Sequence, residues 1–319
     1  MRVVGVSGEG GYGGPEALRV FELPDRHADV GEVRIAVNAA AVNPTDTFTR
    51  IGARHEMLKD HEPPYVAGMD VAGLIDEIGP DTETDLAIGD RVIAIVVPVG
   101  QHGGYSDSLV LPAQSVARAP AGATLVEACT LPMNGLTARK ALDMLALPAG
   151  ATIAVTGAAG AFGGYVVQLA KADGLRVIAD ASEADEALVR DLGADIVVRR
   201  GDDVAAGIRE VVPEGVDAVA DGAIQHALVL PAVRDGGAVA CVRPFQGDSE
   251  RDITIHTVWV REYMLEQGKL DRLRQQVEDG AVTLRVAATY PPEDAGAAQA
   301  RLEAGGTRGR LVIEFAPEP

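Results

Sequence analysis

The chain has 319 residues, of which 47% are hydrophobic, and this size and composition suit a globular enzyme of two domains. Its 28 Lys and Arg against 47 Asp and Glu give a formal net charge of −19. That charge argues against nucleic acid or an anionic membrane as a partner, because both are negative themselves. No signal peptide and no membrane-spanning apolar run is evident, so a cytoplasmic location is expected. Cys129 and Cys241 lie among small apolar residues and are expected to be buried free thiols.

The first part of the chain is predicted to be a β-rich, partly barrel-like domain. Short apolar runs separated by turn residues predict strands over residues 3–6, 18–21, 33–37, 68–78 and 91–97. A helical stretch over 124–147 leads into the middle of the chain, and a second helical pattern runs from 258 to 279. The last predicted strands, 285–288 and 309–315, need a partner sheet and are expected to rejoin the first domain.

The middle of the chain alternates strands with helical segments. An apolar run over 152–155 enters a loop of glycines and alanines, and 165–171 is predicted to be a helix. Further strands are predicted at 175–179, 196–198, 216–220 and 238–242. This alternation is typical of an α/β fold with a doubly wound parallel sheet.

The glycine loop is the strongest functional signal. Residues without bulk let a backbone approach a pyrophosphate, and the N–H groups at the helix start point at it. Ala158 stands where the first glycine of G-x-G-x-x-G is expected, while the other two glycines are present. A tight turn without ligand is the alternative. The predicted contacts with the dinucleotide are Gly157, Ala158, Ala159, Gly160, Ala161, Phe162 and Gly163.

A set of motifs in order along the chain resembles the zinc-free quinone oxidoreductase branch of the medium-chain dehydrogenase/reductase superfamily. The motifs are YGGPEAL at 12–18, VNPTD at 42–46, RIG at 50–52, PYVAGMDVAG at 64–73, GDRV at 89–92, GGY at 103–105, LTA at 136–138, QLAK at 168–171, LGAD at 192–195 and RGRLV at 308–312. The resemblance implies a discontinuous GroES-like catalytic domain over 1–120 and 262–319 and a Rossmann domain over 121–261. It also implies NADPH as hydride donor, a quinone or α,β-unsaturated carbonyl as acceptor, and a homodimer.

The same comparison of motifs argues against a catalytic zinc. Zinc dehydrogenases of the superfamily use a cysteine and a histidine beside a glutamate. The positions that resemble these ligands lie in 43–46, which has no thiol, and at Met69-Asp70. His55, His61 and His102 have no partner at ligand spacing, and a surface role is expected for each.

Three residues are candidates for the catalytic site, each with a structural alternative. Asn43 and Asp46 match positions that lie near the nicotinamide in the family, although Asn43 also suits a turn before Pro44 and Asp46 suits a helix cap. Tyr65 has a hydroxyl to donate but also suits a packed aromatic. A conjugated acceptor stabilises the charge that hydride transfer creates, so the protein needs to supply orientation and a few donors.

The choice between NADP(H) and NAD(H) depends on the end of the second Rossmann strand. Asp180 suits ribose hydroxyls of NAD, and Ser182 resembles the serine of many NADPH reductases. The carboxylate of Asp185 would repel a 2′-phosphate, whereas the guanidinium of Arg200 can donate two hydrogen bonds to that phosphate. The balance favours NADP(H). The remaining predicted cofactor contacts, taken from strand ends and from the resemblance, are Thr137, Ala181, Asp221, Gly222, Cys241, Val242, Arg243, Phe245, Arg308 and Arg310.

Two other functions stay open at this point. One is a zinc-free enoyl reductase of a biosynthetic pathway, which would differ in substrate loops only. The other is a nucleotide-binding protein with little turnover, because an intact cofactor loop fits both.

Overall fold

Short strands make up much of the structure, and several of them are buried along nearly their whole length. The computed structural model describes residues 1–318, and within them the strands are β1 (Arg2–Val6), β2 (Arg19–Glu22), β3 (Glu32–Ala41), β4 (Tyr65–Val66), β5 (Asp70–Ile78), β6 (Arg91–Ile95), β7 (Ser108–Pro112), β8 (Val116–Arg118), β9 (Thr152–Thr156), β10 (Arg176–Ala181), β11 (Ile196–Arg199), β12 (Val216–Asp221), β13 (Val233–Cys241), β14 (Thr254–Thr257), β15 (Val286–Tyr290) and β16 (Arg310–Glu314).

The helices connect these strands. They are α1 (Pro44–Arg50), α2 (His55–Leu58), α3 (Leu125–Ala128), α4 (Pro132–Leu145), α5 (Ala161–Ala172), α6 (Glu186–Asp191), α7 (Val204–Val211), α8 (Gln267–Glu278) and α9 (Ala295–Glu303). Short 3-10 turns lie at Pro15–Ala17, Ala113–Ser115, Glu183–Asp185, His226–Ala232, Val260–Tyr263 and Pro292–Asp294. Among these described segments, no helix combines the length and apolar character that crossing a bilayer requires.

The chain divides into two compact units, and the first comprises residues 1–133, 261–278 and 284–319. Its larger sheet has seven strands in the order β15-β16-β3-β5-β6-β8, with β7 paired to β3. A smaller sheet has the order β2-β1-β4. The C-terminal strand β16 lies antiparallel to β3, so the end of the chain does return to the first sheet. Apolar side chains from both sheets form one core.

The second unit comprises residues 134–260 and 279–283. Its six strands are all parallel and lie in the order β11-β10-β9-β12-β13-β14. The strand order reverses direction between β9 and β12, and in such sheets the ligand crevice lies at this point, outside the carboxyl ends of the strands. The predicted α/β class with a parallel Rossmann sheet is confirmed.

Several element boundaries differ from the sequence-based ones for local reasons. Strand β5 begins after Gly68, which has φ +98°, a backbone conformation that interrupts a strand. The stretch 124–147 forms two helices, because Pro132 starts a new one at a position that proline favours. The pattern from 258 to 279 forms a 3-10 turn and then α8, which begins only at Gln267.

Candidate nucleotide-binding site and buried polar cluster

The loop between β9 and α5 packs tightly against the first turn of the helix. Gly157 has φ +66°, and the N–H of Gly160 donates to its carbonyl oxygen at 2.9 Å. A Cβ at Gly163 would lie 2.4 Å from that same oxygen and 2.8 Å from Cα of Ala158. The first N–H groups of α5 have no partner inside the helix and are available to an anion. A loop this tight that opens a helix fits a pyrophosphate.

The loops that follow β9 and β12 approach each other through glycines. A Cβ at Gly157 would lie 3.0 Å from the carbonyl carbon of Gly222. A Cβ at Gly222 would lie 2.8 Å from the ring of Phe162 and 2.8 Å from the oxygen of Thr156. Both glycines are therefore required by packing at the carboxyl edge of the sheet, where the predicted cofactor contacts lie.

Asp180 near the end of β10 faces the glycine loop. Its Oδ1 accepts the N–H of Ala158 at 3.0 Å, and the residue is only 3% exposed. Burial raises the pKa of this carboxyl, the charge of Asp221 acts in the same direction, and the charge of Arg200 opposes both. The carboxylate of Asp180 thus stabilises the glycine loop through a hydrogen bond to its backbone. The sequence did not reveal this contact.

The residues after β10 and β11 include those predicted to select between NADP(H) and NAD(H). The Ser182 hydroxyl donates to Oδ2 of Asp185 at 2.5 Å, so it caps the following turn through a side chain instead of a backbone N–H. Arg200 is exposed, and within residues 1–318 no carboxylate lies at salt-bridge distance from its guanidinium. The neighbouring Arg199 lies 3.9 Å from Glu183.

Asp221 at the end of β12 builds the loop that follows it. Its Oδ1 accepts the Thr156 hydroxyl at 2.7 Å and the N–H of Gln225 at 3.1 Å, while Oδ2 accepts the N–H of His226 at 2.9 Å. The Thr156 hydroxyl accepts the N–H of Ala223 at 3.1 Å. Sequence reasoning placed Asp221 at the site but missed Thr156, although a polar residue ending a buried strand is a usable signal.

The remaining predicted contacts in this unit lie at the end of β13 and on α4. Cys241 is buried, which raises the pKa of its thiol to about 12 and keeps it protonated. Val242 is partly exposed, and burial lowers the pKa of Arg243. Phe245 packs edge-on against His226, with ring centroids 5.9 Å apart. Ala181 and Thr137 are buried, the latter in the middle of α4.

In the first unit, Asn43 belongs to a fully buried polar cluster. Its Nδ2 donates to Oδ2 of Asp70 at 2.8 Å, and its Oδ1 accepts from Nη2 of Arg310 at 2.6 Å. The same Arg310 nitrogen lies 3.1 Å from Asp70, and its guanidinium also donates to the carbonyl oxygens of Val42 and Thr130. These contacts give Arg310 a structural role, and its contact with the cofactor stays a prediction. Arg308 is exposed.

Asp46 lies in the first turn of α1 and forms a capping box with the N-cap residue Asn43. Its Oδ2 accepts the N–H of Asn43 at 2.8 Å and the hydroxyl of Tyr105 at 2.9 Å. Its Oδ1 accepts the N–H of Gly68 at 3.2 Å, so both oxygens bond to the protein itself. Burial raises the pKa of this carboxyl to about 6.

The raised pKa of Asp46 predicts a pH-dependent stability. A group whose pKa is higher in the folded state stabilises the fold at low pH and loses that stabilisation as the pH rises through the folded value. We expect this residue to lower the free energy of unfolding by about 1.4 kcal/mol between about pH 5 and about pH 7.5. Urea titrations of the wild type and Asp46→Asn at both pH values measure it, with the exposed Asp60→Asn as control. An equal pH dependence in wild type and Asp46→Asn contradicts the prediction.

Tyr65 packs as an aromatic side chain in this unit. Its ring is stacked on that of Tyr12, with centroids 6.4 Å apart, and its hydroxyl donates to the carbonyl oxygen of His61 at 3.4 Å. Tyr12 also forms a hydrogen-bonded pair with His55, in which the tyrosine hydroxyl and the histidine Nδ1 lie 3.0 Å apart. Both side chains are partly exposed. Arg50 forms an ion pair with Glu303 at 2.6 Å.

The positions that resemble zinc ligands carry a different donor set. Asn43 offers an amide that is engaged with Arg310, and Met69 offers a thioether that accepts the Thr45 hydroxyl at 3.3 Å. Asp70 is paired with Arg310. Zinc prefers thiolate, imidazole and free carboxylate, so these residues do not fit it. Across residues 1–318, no group of three or more His, Cys, Asp or Glu side chains is arranged to hold a metal ion.

Comparison with known proteins places the chain in a family. Residues 29–121 match the alcohol dehydrogenase GroES-like domain, and residues 192–313 match the domain described as zinc-binding dehydrogenase. The two matches lie in the order expected for a GroES-like domain followed by a Rossmann domain. The chain belongs to the medium-chain dehydrogenase/reductase superfamily. It is therefore an oxidoreductase of that superfamily.

Relatives within the superfamily are similar along nearly the whole chain. A 2-haloacrylate reductase from Burkholderia sp is 28% identical, over 94% of this chain and 96% of its own length. A chloroplast envelope quinone oxidoreductase homolog from Arabidopsis thaliana is 27% identical, over 95% of each chain.

Solved structures of the superfamily show the same fold. An NAD-dependent alcohol dehydrogenase is 28% identical, covers 99% of this chain and 100% of its own, and has a TM-score of 0.86. A mycobacterial protein solved with NADPH is 27% identical, with the same coverage and a TM-score of 0.84.

Proposed function

We propose that the protein is a metal-independent reductase that uses NADPH to reduce a quinone or an α,β-unsaturated carbonyl compound. The observation that carries the proposal is the glycine loop, where a Cβ at Gly163 would lie 2.4 Å from the backbone. When bound, the reduced nicotinamide supplies a hydride. The chain contributes the N–H groups at the start of α5, which can bind the pyrophosphate. Asp180 stabilises the glycine loop by accepting a backbone N–H, and Asp221 stabilises the loop after β12 in the same way.

Two relatives support the acceptor class. The names of the Burkholderia sp and Arabidopsis thaliana proteins give a haloacrylate and a quinone, and both are conjugated acceptors. Such an acceptor spreads the incoming negative charge over its own bonds, so reduction needs no metal to polarise it. A metal-free reduction is supported by the residues at the positions that resemble zinc ligands. These are Asn43, Met69 and Asp70, and each is already bonded to another part of the protein.

Steady-state oxidation of NADPH against a panel of quinones and enones tests the activity. Turnover with at least one conjugated acceptor, and none with simple alcohols or ketones, is expected. Binding of NADPH without turnover of any acceptor favours a nucleotide-binding protein instead. Metal analysis of the purified protein tests the other half of the proposal, and one zinc per chain would contradict it.

Arg200 is proposed to bind the 2′-phosphate of NADPH. The side chain is exposed, and the backbone N–H of Arg200 donates to the carbonyl oxygen of Ala181 at 3.0 Å, so the residue lies beside the carboxyl end of β10. We expect Arg200→Ala to weaken NADPH binding about tenfold and NADH binding less than about twofold, because a charge-assisted bond to the phosphate is lost. Fluorescence titration of the two nucleotides measures the effect. Arg199→Ala is the matched control, and equal losses for both nucleotides remove Arg200 from the site.

A further inference from the structure

We propose that Gln225 is a positioning residue that sets the preference for the 2′-phosphate by holding the segment that carries Arg200. Its side-chain Nε2 donates to the carbonyl oxygen of Gly201 at 3.0 Å. This inference rests on the proposed use of NADPH and names the residue that orients its recognition.

The loop that carries Gln225 is rigidly held. The Asp221 carboxylate accepts the N–H groups of Gln225 and His226, at 3.1 and 2.9 Å. Ile224 has φ +58° and His226 has φ +52°, and a β-branched residue is costly in that region. Such strain persists only where the surrounding contacts dictate the conformation, and it is common at ligand sites. The Gln225 amide therefore extends from a fixed base.

The Arg200 segment is held from two sides. The N–H of Arg200 donates to the carbonyl oxygen of Ala181 at 3.0 Å, which ties it to the end of β10. The bond from Gln225 to Gly201 ties the next residue to the loop after β12. Gly201 has φ +143°, so this link constrains a residue with wide backbone freedom. The Gly201 carbonyl oxygen also accepts the N–H of Val204 at 3.2 Å, and the Gln225 bond is the contact that links this carbonyl to the loop after β12.

The side-chain amide of Gln225 costs folding free energy, and its bond to Gly201 offsets that cost. Among residues 1–318, the buried Oε1 of Gln225 has no hydrogen-bond partner. A buried unsatisfied acceptor destabilises a fold, and an apolar side chain of similar length avoids that cost. The donor to Gly201 is thus the one contact that an apolar residue could not replace.

Acidic residues near the end of β10 make binding of the 2′-phosphate depend on the position of Arg200. Asp180 and Asp185 are buried carboxyls near the end of β10, and Glu183 is exposed beside them. A 2′-phosphate that enters this region meets acidic groups, so its binding depends on a guanidinium in the right place. We expect a small displacement of Arg200 to reduce discrimination without affecting the rest of the nucleotide.

The test uses 2′,5′-ADP and 5′-AMP, which differ by the 2′-phosphate, as calorimetric probes on the full chain. We expect Gln225→Met to weaken 2′,5′-ADP binding about fivefold, the effect of one neutral hydrogen bond, and to leave 5′-AMP binding unchanged. In an Arg200→Ala background, Gln225→Met should cause no further loss. Gln275→Met, which removes an amide bond to Asp271 in the other unit, is the control.

Each other outcome overturns the inference in a recognisable way. Equal losses for both probes indicate a structural role, and no loss shows that the bond does not position Arg200. A loss that persists in the Arg200→Ala background means that Gln225 acts independently. If the wild type binds both probes equally, the proposed NADPH preference itself fails. That result is measured on the wild type alone, so it is distinguishable from the three outcomes measured on the variants.

Discussion

Gly163→Ala should weaken NADPH binding by about fivefold to a hundredfold, because overpacking of this kind costs about 1–3 kcal/mol and the loop must keep this geometry to bind the nucleotide. The added methyl group would lie 2.4 Å from the carbonyl oxygen of Gly157, 2.7 Å from its carbonyl carbon and 2.8 Å from Cα of Ala158. All three atoms belong to the backbone of the loop, so no side chain can rotate away. The Gly157 carbonyl also accepts the N–H of Gly160, and its displacement therefore distorts the whole turn.

Gly207→Ala is a matched control for this substitution. Gly207 lies in α7 of the same unit, and its added Cβ would meet only Val198, at 3.6 Å. Alanine in a helix interior is more favourable than glycine by up to about 1 kcal/mol, so this variant should be as stable as the wild type or more so. Calorimetric titration with NADPH and a thermal melt of both variants measure the effects. Unchanged affinity in Gly163→Ala would show that the nucleotide does not use this loop.

The nucleotide-binding loop could be predicted from the sequence because its determinants are local. An apolar strand, a run of small residues and a helix follow one another between residues 152 and 172, and each imposes its own backbone geometry. The direction of a carboxylate at the end of a strand is not local. The position of Asp180 in the sequence suited a ribose contact, yet its carboxylate turns to the N–H of Ala158.

The buried cluster of the first unit could not be predicted because its members are distant in sequence. Asn43, Asp70 and Arg310 meet only when β16 pairs with β3 and β5 lies on the other side of β3. The VNPTD and RGRLV motifs indicated that these positions matter, but not that they bind each other. The structural alternatives stated for Asp46 and Tyr65 agree with their observed contacts in the cap and the aromatic stack.

Removal of Arg310 should strongly destabilise the first unit. The guanidinium is 5% exposed and bonds to Asn43, Asp70 and two backbone carbonyls. Arg310→Met leaves Asp70 buried without its counter-ion, and breaking a buried pair in this way costs about 3–5 kcal/mol. Chemical denaturation at neutral pH measures the loss. Lys59→Met removes an exposed ion pair with Glu56 and should change stability by less than about 0.5 kcal/mol.

A second variant separates the structural role of Arg310 from the predicted contact with the cofactor. Burial raises the pKa of Asp70 and the charge of Arg310 opposes that shift, so Arg310→Met should favour protonated Asp70 and lose less stability at lower pH. Arg310→Met combined with Asp70→Asn should recover part of the lost stability, because no charged side chain then remains without its partner in the cluster of residues 43, 70 and 310. If the double variant folds and binds NADPH as the wild type does, Arg310 acts through the fold alone. If it folds normally but binds NADPH more weakly, the guanidinium contributes directly to the nucleotide site.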